Sequence, residues 1–377
     1  MAFIVCLEPF FFSFSKWTDD PFLQGGRFAN PYRILDRTTT FLIRDVIERG
    51  SDNPEDQLFR VLLFSTFMKI ETYETLEKNL ESLTWKTYSR SKYMSFLNNT
   101  PKEGSWFTGS YQKPAPPFGH KSHLENHLAL LEALMTGPLL QKMQKAKYLQ
   151  NVFEYLRAQP GLGNFTAFQF LLNLTYTPIM NFSGMDFVVA GLGAESGIAK
   201  MFSKKSLKAA RENVPDIPVQ IMRHLCETQD EQFKRLALSF SGLGPDHLKL
   251  DLADIEHSIC EVDKYARIRH PELTGLHGRK EMKKRYDPSS RPFPEMAIPK
   301  AWSHPDRQTV RICPDPLCIE RQWVILKISA HRKVSRAKTE YLVHWEGYSD
   351  AEATWEPRHM LQEDAPLALE RYLASVR

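Results

Sequence analysis

Apolar residues recur at helical spacing over most of the chain; near the C-terminus the pattern changes to short runs rich in Val, Ile, Tyr and Trp. Tyr32, Ile34, Leu35, Phe41, Leu42, Val46 and Ile47 predict a helix over Asn30–Arg49. Asn53-Pro54-Glu55 reads as a helix start, with proline at the first helical position. The run Leu58–Ile70 is apolar on more than one face, as a central core helix would be, and helical character continues over Glu71–Leu83. Between Ser105 and His123, Trp106, Phe107, Tyr111, Phe118 and His120 lie among glycines and prolines, which predicts a loop, either lining a site or covering the core. A further helix over Tyr148–Arg157 leads through Gly161-Leu-Gly163 into a second apolar helix. Pro288–Pro316 is Pro-rich and has little periodicity, so it reads as a semi-rigid linker. Trp323–Arg332 and Thr339–Tyr348 read as strands joined by a turn, and Pro366–Ser375 as a closing helix.

With 42% hydrophobic and 12% aromatic residues, the 377-residue chain has ample material for a packed core and is not expected to be disordered. A formal charge of +4 is too small to diagnose a nucleic-acid partner; local clusters carry more weight. The five cysteines are odd in number and scattered, which points to a reducing compartment rather than a disulfide framework. Cys313-Pro-Asp-Pro-Leu-Cys318 has no second ligand pair at matching spacing, and no metal site is expected. The apolar start, Met1–Ser15, lacks a basic flank and carries Glu8 and Pro9, so neither a signal peptide nor a membrane span is expected.

The Gly161-Leu-Gly163 turn is the stretch with the most specific chemistry in the helical part. Paired glycines let amide N–H groups point outward together, and at a helix N-terminus such a cluster is suited to a phosphate. An ordinary helix–turn–helix corner is the other reading. Gly191-x-Gly193 with Gly197 lacks the closing Gly-Lys-[Ser/Thr] of a Walker loop and reads as a second nest-like turn or a plain Gly-rich one. His123 and His127 stand one helical turn apart; Glu125 is misplaced for a metalloprotease, so they are expected as a surface or capping pair. Lys200, Lys204, Lys205, Lys208 and Arg211 form one basic flank. Lys264, Arg267, Arg269, Arg279, Lys280, Lys283, Lys284 and Arg285 form a denser one, so a polyanion, DNA first among them, is an expected partner. Glu261, Asp263, Lys264 and Arg267 set acid beside base on a predicted helix; buried they suit general acid/base work, exposed they are simple helix pairs.

Pro160, Gly161, Gly163, Thr166 and Ala167 resemble the Pro-Gly-x-Gly-x-x-Thr-Ala hairpin with which helix-hairpin-helix DNA glycosylases hold a backbone phosphate. Together with Asn30-Pro-Tyr-Arg33, Lys69-Ile-Glu-Thr72, Pro117-Phe-Gly-His120, Glu125-Asn-His-Leu128, Asp186-Phe-Val-Val-Ala-Gly191 and Cys260-Glu-Val-Asp-Lys-Tyr265, it makes the large region similar to one family. That family is the alpha-glutamyl/putrescinyl thymine pyrophosphorylase or 5-hydroxymethyluracil DNA kinase helical domain of phages and fungi. The resemblance implies a mainly α, helix-hairpin-helix, DNA glycosylase-like fold over 20–287, acting on or near modified thymine bases. It implies a DNA grip by Gly161, Gly163, Thr166, Lys283, Lys284 and Arg285, and a catalytic carboxylate from Asp186 or Asp263, with Lys264 beside the latter. Phe165 stands where bifunctional glycosylases carry a Schiff-base lysine, so lyase chemistry through that position is excluded. No P-loop occurs in the sequence, so this chain is not expected to phosphorylate, and no cofactor is expected.

Tyr341-Leu-Val-x-Trp345-x-Gly-Tyr348 with Thr354-Trp-Glu-Pro357 resembles a chromodomain over 321–377, behind a linker at 288–320: a small α+β fold of three antiparallel strands and a C-terminal helix. Chromodomains bind methylated lysine in an aromatic cage through cation–π attraction. The matching positions are Trp323, Trp345 and Tyr348, with Glu352 as the nearby acid, while Met360 replaces a polar residue that helps hold the peptide. Trp355 is expected in the core. The combination implies a nuclear protein with a methylated histone tail and DNA as partners, no membrane, and a place in a chromatin-modifying complex. Three roles follow: an enzyme on a modified pyrimidine, a non-catalytic reader or scaffold, or a domesticated retroelement-type chromodomain fusion.

Overall fold

The computed structural model describes residues 18–102, 104–111, 113–276, 281, 295–317, 325–335, 339–345, 353–358, 361–362 and 365–376. They divide into two compact units, 1–316 and 317–377.

The first unit is mostly helical. Helix α1 (Pro21–Gly25) is capped by Asp20, whose other carboxylate oxygen accepts from the Tyr265 hydroxyl at 2.5 Å. The expected long helix over 30–49 is broken. Arg33–Leu35 is a 3-10 turn, α2 covers Arg37–Phe41, and Leu42–Ile47 is a π-helical stretch. One cause is tertiary and one local: the Arg33 N–H bonds the distant Asp254 carboxylate at 2.8 Å instead of a helical carbonyl, and the Asn30 amide folds back onto Leu35 O at 3.2 Å.

Asn53 caps the N–H groups of Glu55 and Asp56 and Pro54 opens α3 (Pro54–Phe67), as the sequence predicts. Every residue of α3 from Gln57 to Phe67 is buried, so this is the central helix. It ends on Met68, which takes a left-handed conformation (φ 49°) and separates α3 from α4 (Ile70–Asn79). Around them lie α5 (Arg90–Asn99), α6 (His123–Thr136) and α7 (Leu139–Lys145). Helices α8 (Leu149–Arg157) and α9 (Asn164–Thr175) make the hairpin, with α9 packed on α3. Further along come α10 (Leu192–Met201), α11 (Lys204–Asn213), α12 (Ile217–Glu227), α13 (Gln229–Arg235) and α14 (Leu252–Arg269). The α10–α14 contact explains two glycines: a Cβ on Gly193 would stand 2.7 Å from Cys260 Sγ, and one on Gly197 2.6 Å from Ile259 Cγ2. Gly191-x-Gly193 therefore opens a close-packed helix rather than a nucleotide loop.

The Pro-rich stretch behaves differently from a free linker. Residues 295–316 belong to the helical unit and include two 3-10 turns, Lys300–Ser303 and Pro305–Gln308. Arg307 is only 8% exposed and donates to the carbonyls of Thr175, Thr177, Met180 and Phe182 at 2.8–3.3 Å. Proline composition signalled the lack of regular structure; it carried no sign of this one arginine.

The second unit holds strands β1 (Ile325–Lys333), β2 (Thr339–Trp345) and β3 (Thr354–Pro357) in an antiparallel sheet of order β1-β2-β3, closed by α15 (Pro366–Ser375). Ile328 pairs with Val343 and Leu342 with Trp355. Tyr341, Val343, Leu361, Leu369 and Tyr372 form its core, and His331 Nδ1 meets the Tyr372 hydroxyl at 2.9 Å. Trp355 lies partly exposed on the sheet, covered by the Arg332 guanidinium at 4.2 Å, rather than inside the core.

Candidate functional site

The hairpin corner stands open. Pro160, Gly161 and Gly163 are exposed, while Leu162 between them is buried and anchors the turn. Gly163 is the N-cap of α9 and no side chain caps that helix, so its first-turn N–H groups are left for an outside acceptor. The two glycines do different work. Gly161 has φ +77°, and a Cβ there would meet Pro116 Cα at 2.8 Å; Gly163 has φ −70° and open space around it. Gly161→Ala is therefore expected to cost about 1–2 kcal/mol of stability in urea unfolding, whereas Gly163→Ala should fold like wild type and report on ligand contact alone. Equal stability of the two variants would refute this division. Thr166 is partly exposed, and Phe165 sits edge-on against Tyr111 with ring centroids 5.1 Å apart.

The two candidate catalytic carboxylates, Asp186 and Asp263, have no hydrogen-bond or ion-pair partner in common. Asp186 is 3% exposed; one oxygen accepts from the Ser183 N–H at 3.0 Å and the other from the Arg311 N–H at 2.6 Å, and burial raises its pKa. It staples the loop after α9 to the 295–316 segment. Asp263, fully buried on α14, accepts from Ser196 Oγ at 2.9 Å, lies 2.8 Å from Lys200 Nζ and pairs with Arg267. Its pKa is lowered: burial raises it, but the bonds from Lys200, Arg267 and Ser196 together outweigh burial. Lys264 pairs instead with Glu261 at 2.6 Å. Lys200, read from sequence as part of a solvated basic flank, is thus largely buried against Asp263. His127 is buried too, its ring 4.7 Å from that of His123, so the two are not a surface pair.

Chain reading missed a polar centre around Arg33. Its backbone holds Asp254, one terminal nitrogen donates to Gln169 Oε1 of α9 at 3.0 Å, and the other faces His257 Nδ1 at 3.2 Å. Guanidinium nitrogens only donate, so Nδ1 must accept and Nε2 must carry the imidazole hydrogen. Burial and the Arg33 charge push His257 down to about 3, keeping it neutral. Its Nε2 lies 3.6 Å from Asp36 Oδ2, beyond hydrogen-bond reach. Among the described residues, His257 Nε2 and Arg33 Nε are both buried polar atoms without a partner. Glu256, beside them, accepts from the Gly191 N–H at 3.1 Å, and its pKa is raised by burial. Asp254 is pushed well up by burial and by Asp251. The result is a neutral His257 N–H beside the cationic Arg33 guanidinium, among carboxyls whose pKa values burial raises, an arrangement in which the imidazole can polarise a carbonyl without itself changing charge. The Asn30-Pro-Tyr-Arg33 motif was the one trace of it in the sequence.

Lys283, Lys284 and Arg285 lie outside the described residues, as do Trp323, Tyr348 and Glu352 of the expected cage. Trp345 is described as backbone only, the last residue of β2, with Ile325 opposite it.

A mostly helical unit with an open Gly-x-Gly hairpin, joined to a small three-stranded unit with a closing helix, defines the class of this protein. Residues 13–275 match the family described as 5-hmdU DNA kinase, helical domain, and residues 323–375 match the Chromo (chromatin organisation modifier) domain. The chain belongs to the 5-hmdU DNA kinase helical-domain family and carries a chromo domain fused behind it. No curated protein and no solved structure matches the chain.

Proposed function

We propose that this is a nuclear, chromatin-associated protein whose chromo domain reads methylated histone lysine while its helical domain engages DNA at or near modified thymine bases. The observation that carries the DNA part is the exposed, uncapped N-terminus of α9 behind Gly161 and Gly163. Family membership supports it, since the matched description names a DNA kinase acting on a thymine analogue. The neutral His257 N–H beside Arg33 suits a pyrimidine carbonyl. The chromo match supports the histone part.

A second reading, a non-catalytic reader or scaffold, is favoured by one observation: both Asp186 and Asp263 are occupied by protein partners.

One set of experiments tests both. Duplexes with thymine or 5-hydroxymethyluracil are titrated with the full chain over a range of salt. Binding should weaken steeply with salt, and Gly163→Ala should reduce affinity roughly tenfold through loss of a close phosphate approach. Affinity unchanged by salt and by Gly163→Ala would sink the DNA reading. Release of the free base or formation of a base adduct, followed by mass spectrometry, separates enzyme from scaffold. In the other unit, Trp345→Ala should abolish binding of a trimethyl-lysine peptide; equal wild-type affinity for the unmodified peptide would remove the reader role.

A further inference from the structure

Four exposed apolar side chains surround one packing contact on the helical unit. After α14, the stretch 270–276 lies close against α10: a Cβ on Gly275 would stand 2.2 Å from Ser196 Oγ and 3.1 Å from Lys200 Cε. The side chains flanking that contact, Leu273 and Leu276 on the stretch and Met201 and Phe202 at the end of α10, are each 42–46% exposed. Single exposed apolar residues are ordinary, but a cluster of them marks a contact surface. The chain enters the helical unit at the same place. Asp20, which caps α1, accepts from the Tyr265 hydroxyl at 2.5 Å. The Tyr265 ring lies 6.3 Å from that of His270, and His270 O accepts from the Leu273 N–H at 3.0 Å. Residues 1–17, which precede this entry, lie outside the described residues. They are strongly apolar, with Phe3-Ile-Val5 and Phe10-Phe-Phe12, and their charges are Glu8 and Lys16.

We propose that residues 1–17 dock in cis on this patch, seating their phenylalanines on Met201, Phe202, Leu273 and Leu276. Position favours this occupant over a second copy of the chain. A segment tethered beside its own receptor meets it at an effective concentration on the order of millimolar, which separate molecules in dilute solution do not match. Reach is not limiting, since a chain of that length spans up to about 55–60 Å when extended. Chemistry favours it as well: patch and segment are both mostly carbon, so docking removes apolar surface from water on each side. The Lys200–Asp263 ion pair lies under Gly275, and a docked segment keeps water further from it, which strengthens the attraction between the two charges. Docking in cis requires neither DNA nor a histone partner.

The segment carries its own probe, Cys6. In the full chain a second thiol is introduced by Leu276→Cys in the patch, or by Lys249→Cys just ahead of α14, at the opposite end of that helix from Tyr265. Isotope-labelled and unlabelled protein are mixed and mildly oxidised, and disulfides to Cys6 are mapped by mass spectrometry. A disulfide within one copy should form several-fold more readily in Leu276→Cys than in Lys249→Cys. Equal yields, or none in Leu276→Cys, overturn the proposal. Disulfides formed chiefly between labelled and unlabelled copies overturn docking in cis and make a second copy the occupant. A dye that fluoresces on apolar surface gives an independent readout. Replacing Phe10, Phe11 and Phe12 together by serine should uncover the patch and raise dye fluorescence several-fold, with far-UV circular dichroism unchanged. Adding Phe202→Ser and Leu276→Ser should abolish that rise. No rise in the first variant, or a rise that survives the two added changes, refutes the docking site.

Discussion

Arg307→Ala is expected to lower the stability of the helical unit by about 3–4 kcal/mol, seen as a drop of roughly 5–10 °C in its thermal midpoint. Its guanidinium satisfies the carbonyls of Thr175, Thr177, Met180 and Phe182, which leave the end of α9 with no other described side-chain donor. Truncation strands these acceptors in the protein interior, and each stranded buried acceptor costs on the order of 1–3 kcal/mol before relaxation. Burial lowers the Arg307 pKa to about 10, and the Asp186 charge partly opposes that fall, so the group stays cationic at neutral pH. Arg307→Lys should not rescue, because a single ammonium cannot span the fan that a planar fork reaches. Calorimetry on the full chain checks this. A midpoint within roughly one degree of wild type would mean that the segment is not held as described.

Asp263→Asn should be as damaging, by about 3–5 kcal/mol, because it leaves Lys200 buried without its counter-charge. The pH dependence distinguishes this from a packing defect. The folded pKa of Asp263 lies below its unfolded value, so its contribution is fully present above the unfolded pKa and is lost as pH falls through the folded one. The gap between wild type and Asp263→Asn should therefore be widest near neutrality and shrink below about pH 4. Asp186, Asp254 and Glu256, whose pKa values are raised, work in the opposite sense and recover stability on acidification. Urea unfolding at several pH values measures the gap; a gap independent of pH would contradict the ion-pair account.

Local chemistry was legible in the sequence wherever neighbours decide it. Asn53 and Pro54 announced α3, the glycine pair announced the α8–α9 turn, and alternating β-formers announced the second unit. What depends on distant partners was not legible. Arg33 meets Gln169 across 136 positions and His257 across 224, and no spacing rule links such residues. The same limit applies to Asp263: its place on α14 could be read, but Lys200 and Ser196 beneath it could not. Arg307 is the sharpest case, since its surroundings read as unstructured and one side chain decided otherwise.

The pairing of Arg33 with His257 fixes more than geometry. Between roughly pH 5 and 8, where histidines commonly gain or lose a proton, this imidazole stays in one form because burial, aided by the Arg33 charge, holds it far below that range. The His257 ring is thus a fixed neutral donor beside a fixed cation, and not itself a sensor of acidity. Whatever response the protein shows to cellular pH has to be written by groups other than this imidazole.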